Sequence, residues 1–271
     1  MAVNVRPATV GDYAAVARLM PQLGSGDPTP PEETWRAVTM EGTRLATISA
    51  AGDRGATATV GYCLFQELAD GGYVRHVVVD AVARRQGVGR ALMLAMADEL
   101  RAHGKTTWRL NVKPDNTAAI ALYSSFGLRV AYAAKAFLLP WRCVADLPSY
   151  GAAINVAGAD RDVPLEDAFG LPRGQLTRSR QTGRTIYEAL DTNRSPSIVG
   201  LADFNPRFPG AFPFRVVDPR VARDLLTVMR TLVPTDDAVN LVAEDDEPLA
   251  ALLLQAGATL RMDILHMVGA L

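Results

Sequence analysis

The chain has 271 residues, about half of them apolar, with 28 basic and 29 acidic side chains. That is enough length for two compact domains and enough apolar content to fill their cores. A formal charge of −1 excludes a general nucleic-acid clamp, which needs a basic surface to displace counterions. No uninterrupted apolar run reaches the roughly 20 residues of a membrane-spanning helix.

Only Lys105, Lys113 and Lys135 are lysines among the basic residues, and alanine is abundant, a bias expected of a GC-rich coding sequence. Cys63 and Cys143 lie in unrelated contexts, and His76, His103 and His266 are far apart, so no metal-ligand spacing is present and no metal is expected. The N-terminus lacks the pattern of a secretory leader, and the expected setting is a reduced, cytoplasmic one.

In chain order, Val3–Arg6 alternates as a short strand. Gly11 and Asp12 precede a helix with Val16, Leu19 and Met20 on one face. Residues 21–31, rich in Pro and Gly, form a loop or broken helix, and Trp35 falls in the loop region after the first helix. There it lines the acceptor side or packs into the core. Arg44–Ser49 and Thr57–Gln66 read as a hairpin turned at Ala51–Gly55. A second turn at Asp70-Gly71-Gly72 leads into Tyr73–Asp80, whose nearly continuous apolar run marks a buried central strand. Val88, Leu92, Met96 and Leu100 then recur every four residues on a helix from Val88 to about Arg101. Thr106–Val112 is the next strand. Asp115 and Asn116 suit the N-cap of a helix over Thr117–Phe126, which Gly127 terminates. Leu128–Leu139 closes the first half as one or two strands, and Pro140–Pro148 reads as a linker.

The chemistry centres on Arg84-Arg85-Gln86-Gly87-Val88-Gly89-Arg90. A buried strand runs into a turn with two glycines, and a helix starts there. Glycines admit a ligand close to the backbone, and N–H groups at a helix start bind anions. Arg84, Arg85 and Arg90 add positive charge, so a pyrophosphate is the natural guest; a tight strand-to-helix connection is the plainer alternative. Asn116 and Tyr123 are seven residues apart on the later helix and project from nearly the same face. If the strand Trp108–Val112 splays from Tyr73–Asp80, a pantetheine arm can run between them, bringing the thioester near Tyr123.

The two motifs together, Arg84-Arg85-Gln86-Gly87-Val88-Gly89 (R-x-x-G-x-G) and Asn116-Thr117-Ala118-Ala119-Ile120-Ala121-Leu122-Tyr123 followed by Phe126-Gly127-Leu128, resemble the core of the GNAT N-acetyltransferase superfamily. The resemblance covers roughly the first 140 residues. It implies an α/β fold with a mixed central sheet, splayed strands and flanking helices, and acetyl-CoA as co-substrate. The cofactor would be held by Val77, Val78 and Val79, by Arg84, Arg85, Gln86, Gly87, Val88, Gly89 and Arg90, and by Asn116 and Ala119. It further implies Tyr123 as the general acid that protonates the leaving thiolate, with a backbone N–H such as that of Val78 stabilising the oxyanion. Members often carry a carboxylate on the central strand where this chain has Arg75-His76. His76, with an ordinary pKa of about 6.5, is the substitute base, set against a histidine merely bonded to its neighbours; Glu67 or a water chain is the fallback.

The second half repeats the plan weakly. Phe214-Arg215-Val216-Val217-Asp218 echoes Val77–Asp80, a helical pattern follows over Val221–Leu232, Ala238–Ala243 reads as a strand, and Glu244–Gly257 mirrors Lys113–Gly127. The working parts have gone: Pro219-Arg220-Val221-Ala222-Arg223 replaces the glycine turn, Asp246 stands for Asn116 and Leu253 for Tyr123. The expected plan is a catalytic domain at 1–140, a linker at 141–149, a degenerate GNAT-like domain at 150–271, and one cofactor per chain. Phe204–Phe214, with four aromatics and three prolines, reads as a stiff loop forming a pocket wall, a contact surface, or packing on its own core.

The leading reading is an acyl-CoA-dependent N-acetyltransferase acting on a primary amine of a small molecule or peptide. Its rivals are a non-catalytic acyl-CoA sensor and a transferase of the same fold using a longer acyl-CoA or an aminoacyl-tRNA. A membrane partner is not expected, a nucleic-acid partner is disfavoured, and a homodimer is compatible with the sequence.

Overall fold

In the computed structural model, the described residues are 3–24, 28–49, 57–69, 71–193, 197–234 and 237–271. The expected turn at Ala51–Gly55 and Asp70 lie outside them. The elements in order are β1 (Val3–Pro7), α1 (Tyr13–Leu19), α2 (Glu32–Val38), β2 (Thr43–Ser49), β3 (Thr57–Glu67), β4 (Gly71–Val79), α3 (Val88–Ala102), β5 (Thr107–Val112), α4 (Thr117–Ser125) and β6 (Arg129–Pro140). They continue with β7 (Ala153–Val156), α5 (Asp162–Ala168), α6 (Gln175–Gln181), β8 (Thr185–Asp191), β9 (Ser197–Asn205), β10 (Gly210–Val216), α7 (Val221–Arg230), β11 (Ala238–Glu244), α8 (Glu247–Gln255) and β12 (Thr259–Ala270). The fold is mixed α/β, with helices flanking mixed sheet.

The chain divides into two compact units. One comprises Met1–Asn111, Asn116–Arg129 and Met267–Leu271; the other comprises Val112–Asp115 and Val130–His266. The boundaries differ from a cut at 140 or 150, because terminal strands count with the unit they bond to. Within the second unit, β6 pairs antiparallel with β11 from Ala238↔Pro140 to Glu244↔Ala134. Within the first, the Leu271 N–H donates to the Thr106 carbonyl at 2.9 Å.

In the first unit the strands run in the order β1-β2-β3-β4-β5. The first four pair antiparallel and β4–β5 is parallel. The four-residue apolar period of α3 is confirmed: Val88, Leu92, Met96 and Leu100 are all buried. Gly71 and Gly72 belong to β4 rather than to a turn; lacking side chains, they let Thr107 and Leu100 come close. Trp35 lies on α2, not in a loop. It is buried with Val16, Leu19, Leu45, Tyr62, Leu64 and Val78, so of the two readings of Trp35 core packing is the one that holds.

The second unit has the order β11-β10-β9-β8-β7, the same walk as β5-β4-β3-β2-β1, and β10–β11 is again the parallel pair. The caps repeat too. Asp246 accepts from the Leu249 N–H at 2.9 Å as Asn116 accepts from the Ala119 N–H at 3.2 Å. Gly257 (φ 96°) and Gly127 (φ 86°) end the two helices in the left-handed region. Two expectations are corrected here. The linker segment folds as a 3-10 turn, Trp141–Asp146, whose Trp141 and Val144 join Leu147 in this unit's core. Most of the Phe/Pro-rich loop is the β9–β10 hairpin: Phe204 and Phe214 point into the core, and Phe208 at the tip is exposed. Strand alternation, not loop stiffness, sets their orientation.

Only Gly210↔Asn240 and Ala211↔Leu241 register between β10 and β11, so these strands diverge. Beyond that point the Arg215 guanidinium donates to the Glu244 carbonyl at 3.1 Å and meets its carboxylate at 3.1 Å. The Tyr132 hydroxyl donates to the same carboxylate at 2.7 Å. Burial raises the Glu244 carboxyl above the ordinary carboxylate range, with Arg215 and Tyr132 opposing that shift. Arg215→Ala would leave a buried carboxylate without its cation, and a loss of about 3 kcal/mol is expected in urea unfolding. A carboxyl whose folded-state pKa is raised weighs against folding as pH rises above its unfolded value. The variant's deficit should therefore be full at pH 7 and shrink as acid protonates Glu244.

Candidate active site

The registered pairs of β4 with β5 run from Gly71↔Thr107 to Val74↔Leu110 and stop there, although β4 continues to Val79. The sequence-inferred splay is thus present, and it begins at Arg75. On its other edge β4 carries a bulge. Leu64 faces His76 and Phe65 faces Val74, so Arg75 is the extra residue, a device that re-aims side chains. No local residue pattern announces it. Along the diverging stretch, Val78 is buried in the α1/α2 cluster, and Val77 and Val79 are half-buried.

Beyond β4 the turn is held by its own side chains. Asp80 caps a 3-10 turn by accepting from the Val82 N–H at 3.3 Å and pairs with Arg18 at 2.5 Å. Arg84 Nε donates to the Val79 carbonyl at 3.2 Å, and Gln86 Nε2 donates to that of Val82 at 3.0 Å. Arg85 sits at φ 63° and Gly87 at φ 83°. A left-handed arginine is a strained backbone position of the kind that collects at ligand sites. Gly87 is the N-cap of α3, and the first helical bond comes from Ala91 to its carbonyl at 2.9 Å. The N–H groups of Val88, Gly89 and Arg90 therefore belong to the first turn, which has no intrahelical acceptors. With the dipole of a fifteen-residue helix behind them, they present the set of donors that an anion requires.

Gly89 is where α3 and α4 meet. A Cβ there would lie 3.1 Å from Leu122 Cδ2 and 3.7 Å from Val79 Cγ2. The Arg90 guanidinium lies over the Phe126 ring, 5.3 Å from its centroid, and that ring meets Trp108 edge-on at 5.9 Å. The diverging end of β4, the phosphate-type turn and the helix bearing Tyr123 are thereby brought together within one unit. Tyr123 is buried, and burial pushes its phenol up to about 12, so it keeps its proton at any physiological pH. Asn116 uses its side-chain oxygen on the Ala119 N–H, leaving its NH2 group and that oxygen's second lone pair for a ligand; Ala119 stands one turn into α4.

Two features fell outside the sequence reading. Tyr62 on β3 places its hydroxyl 3.2 Å from His76 Nδ1; its signal was only that it shares a sheet face with His76. Glu67, the fallback base, bonds His103 Nδ1 at 2.6 Å. With Glu99 these form a group of metal-capable side chains, but Glu99 is ion-paired to Arg44 and Lys105 lies 4.0 Å from Glu67. Glu67 is thus held in a network of ion pairs.

Residues 17–128 match the model of the acetyltransferase (GNAT) family. Among curated proteins, the [ribosomal protein bS18]-alanine N-acetyltransferase of Escherichia coli K12 is 40% identical over 70 residues, 26% of this chain. The chain spans about half the length of that relative, 47%. Two solved structures resemble the whole chain in fold. A GCN5-related N-acetyltransferase from Sphaerobacter thermophilus has a TM-score of 0.65 at 16% identity, covering 99% of this chain and 95% of its own. A tandem GNAT protein from the clavulanic acid biosynthesis pathway has 0.62 at 17% identity, covering 99% and 98%. The segment that holds the glycine turn and Tyr123 thus matches the acetyltransferase (GNAT) family, within a chain whose fold is like that of tandem GNAT proteins.

Proposed function

We propose that this chain transfers an acetyl group from acetyl-CoA to the primary amine of a peptide or small molecule, using one cofactor bound to the first unit. The observation that carries this reading is the open first turn of α3, which lies at the end of a diverging β4 and touches the helix of Tyr123. The pyrophosphate rests on the N–H groups from Arg85 to Arg90, and the pantetheine lies along Val77–Val79. The neutral amine attacks the thioester carbon, the C–N bond forms and the C–S bond breaks. Tyr123 gives its proton to the leaving thiolate and regains one from solvent, to which the amine nitrogen has released its own. His76, at the bulge where the splay begins, is the polar side chain of β4 on the acceptor side.

The second unit supports a single site by what stands in its place. The turn before α7 has no glycine. The Asp218 carboxylate accepts from the Arg220 N–H at 2.9 Å and pairs with its guanidinium at 2.7 Å, as Asp80 caps its own turn in the first unit, but no glycine opens the helix start that follows. The Arg215–Glu244–Tyr132 network lies where β10 and β11 diverge. The bS18-alanine relative makes a peptide with N-terminal alanine the first acceptor to try.

Calorimetry on the full chain tests the reading. One micromolar acetyl-CoA site per chain is expected, followed by CoA release when alanine peptides are added. Two equivalent sites would overturn the single-cofactor reading, and no binding would overturn the acetyltransferase reading itself.

A further inference from the structure

The glycine turn is clasped from outside by two side chains four residues apart: Arg18 on α1 and Gln22 on the 3-10 turn Met20–Leu23 that extends it. Arg18 spreads its guanidinium between two partners. One nitrogen meets the Asp80 carboxylate at 2.5 Å, and the other donates to the Thr59 carbonyl of β3 at 2.8 Å. The Gln22 side-chain oxygen accepts twice, from the Ala81 N–H at 2.9 Å and from the Arg84 guanidinium at 3.3 Å.

Asp80 and Arg84 are also the charged braces inside the turn, Asp80 on the Val82 N–H and Arg84 on the Val79 carbonyl. Each therefore has one bond within the turn and a second to the α1 segment. Two of the three nitrogens of Arg84 are engaged in this way. The residue that follows, Arg85, sits at φ 63°, and a left-handed residue other than glycine persists only where its surroundings fix it. The N–H groups that would take the pyrophosphate begin at that residue, so their direction depends on the frame before them. Donors already held in place bind more tightly than donors that must first be ordered.

Resting on the acetyl-CoA site proposed above, we infer that Arg18 and Gln22 are positioning residues for the cofactor: through Asp80 and Arg84 they hold the glycine turn in its anion-binding shape, and Arg84 serves that frame rather than touching the pyrophosphate.

The competing account is that these contacts merely dock α1. That helix has its own fastening, since Val16 and Leu19 are buried among Trp35, Leu45, Tyr62 and Val78, and the Tyr13 hydroxyl donates to the Pro30 carbonyl at 2.8 Å. Arg18 is half exposed, and a surface ion pair adds little to global stability. Loss of the clasp should thus register in cofactor affinity and hardly in unfolding.

The experiment is acetyl-CoA calorimetry on the full chain for wild type, Gln22→Ala, Arg84→Ala and the double variant, with thermal unfolding of each. Gln22→Ala is expected to weaken binding about fivefold to tenfold while the unfolding midpoint moves by under about 3 °C. Arg84→Ala should lose a similar factor, and the double variant little more than the worse single one, because both changes remove the same brace. Multiplying losses in the double variant would overturn the shared frame. Salt gives a second readout. A guanidinium on the pyrophosphate makes affinity fall with ionic strength, so a salt dependence that flattens in Arg84→Ala would place Arg84 on the phosphate and overturn its role here; parallel dependences are expected. Gln22→Met keeps the length and removes the acceptor, and it replaces Gln22→Ala if that variant fails to fold. Wild-type affinity in the Gln22 variants overturns this inference alone, whereas no binding by the wild type overturns the acetyl-CoA reading together with it.

Discussion

Gly89→Glu should weaken acetyl-CoA binding by at least about 100-fold, with the fold retained. Gly89 is the second residue of α3, in the first turn whose N–H groups are proposed to hold the pyrophosphate. A carboxylate there would stand a few ångströms from a pyrophosphate. At 4 Å two like charges repel by about 4 kcal/mol near a protein surface, far more than 100-fold in affinity. Shape is the competing cause, because even a Cβ at this position comes within 3.1 Å of Leu122 Cδ2. Gly89→Ala separates the two. It adds the same Cβ against the movable end of a leucine and should cost under about tenfold. Calorimetry on both variants, with circular dichroism as the fold check, reads the outcome. Equal losses would assign the effect to α3–α4 packing, and no loss in Gly89→Glu would remove the turn from the cofactor site.

The other large effect is expected at Tyr123. Tyr123→Phe keeps the buried ring and removes one oxygen, so stability should change by under about 1 kcal/mol. If the phenol protonates the leaving thiolate, kcat should fall by about 100-fold or more while the acetyl-CoA dissociation constant stays within about twofold. The pH profile is a second readout. Burial places the Tyr123 phenol at about 12, so the alkaline limb it would contribute lies above the working range, and wild type and variant should share one profile shape below it. A loss in affinity with unchanged kcat would instead make Tyr123 a packing residue for the pantetheine arm.

The glycine turn was legible because its requirement is local. Gly87 at φ 83° and a helix beginning at Val88 follow from residues adjacent in the chain. The same holds for Asn116 as an N-cap, for Gly127 as a helix end, and for the buried stripe of α3. The duplication was legible in outline, since caps and glycines recur at matching offsets. The linker and the Phe/Pro-rich loop were misread, because composition reports turn-forming tendency and not what a neighbouring core will bury. Trp141, Leu147, Phe204 and Phe214 are core residues that no local rule announces.

By itself, then, the sequence determined the α/β class, the phosphate-type turn and the helix that bears Tyr123, all products of short-range backbone chemistry and of 3.6- and 2-residue periods. Tertiary structure alone decided which strands complete each unit, with β6 on β11 and Leu271 on Thr106. It also decided the bulge at Arg75, the Arg215–Glu244–Tyr132 network, and the meeting of Tyr62 with His76. Each of these is a pairing between residues distant in the chain, fixed by strand register or by the need to satisfy a buried polar group, and none is written in any single segment.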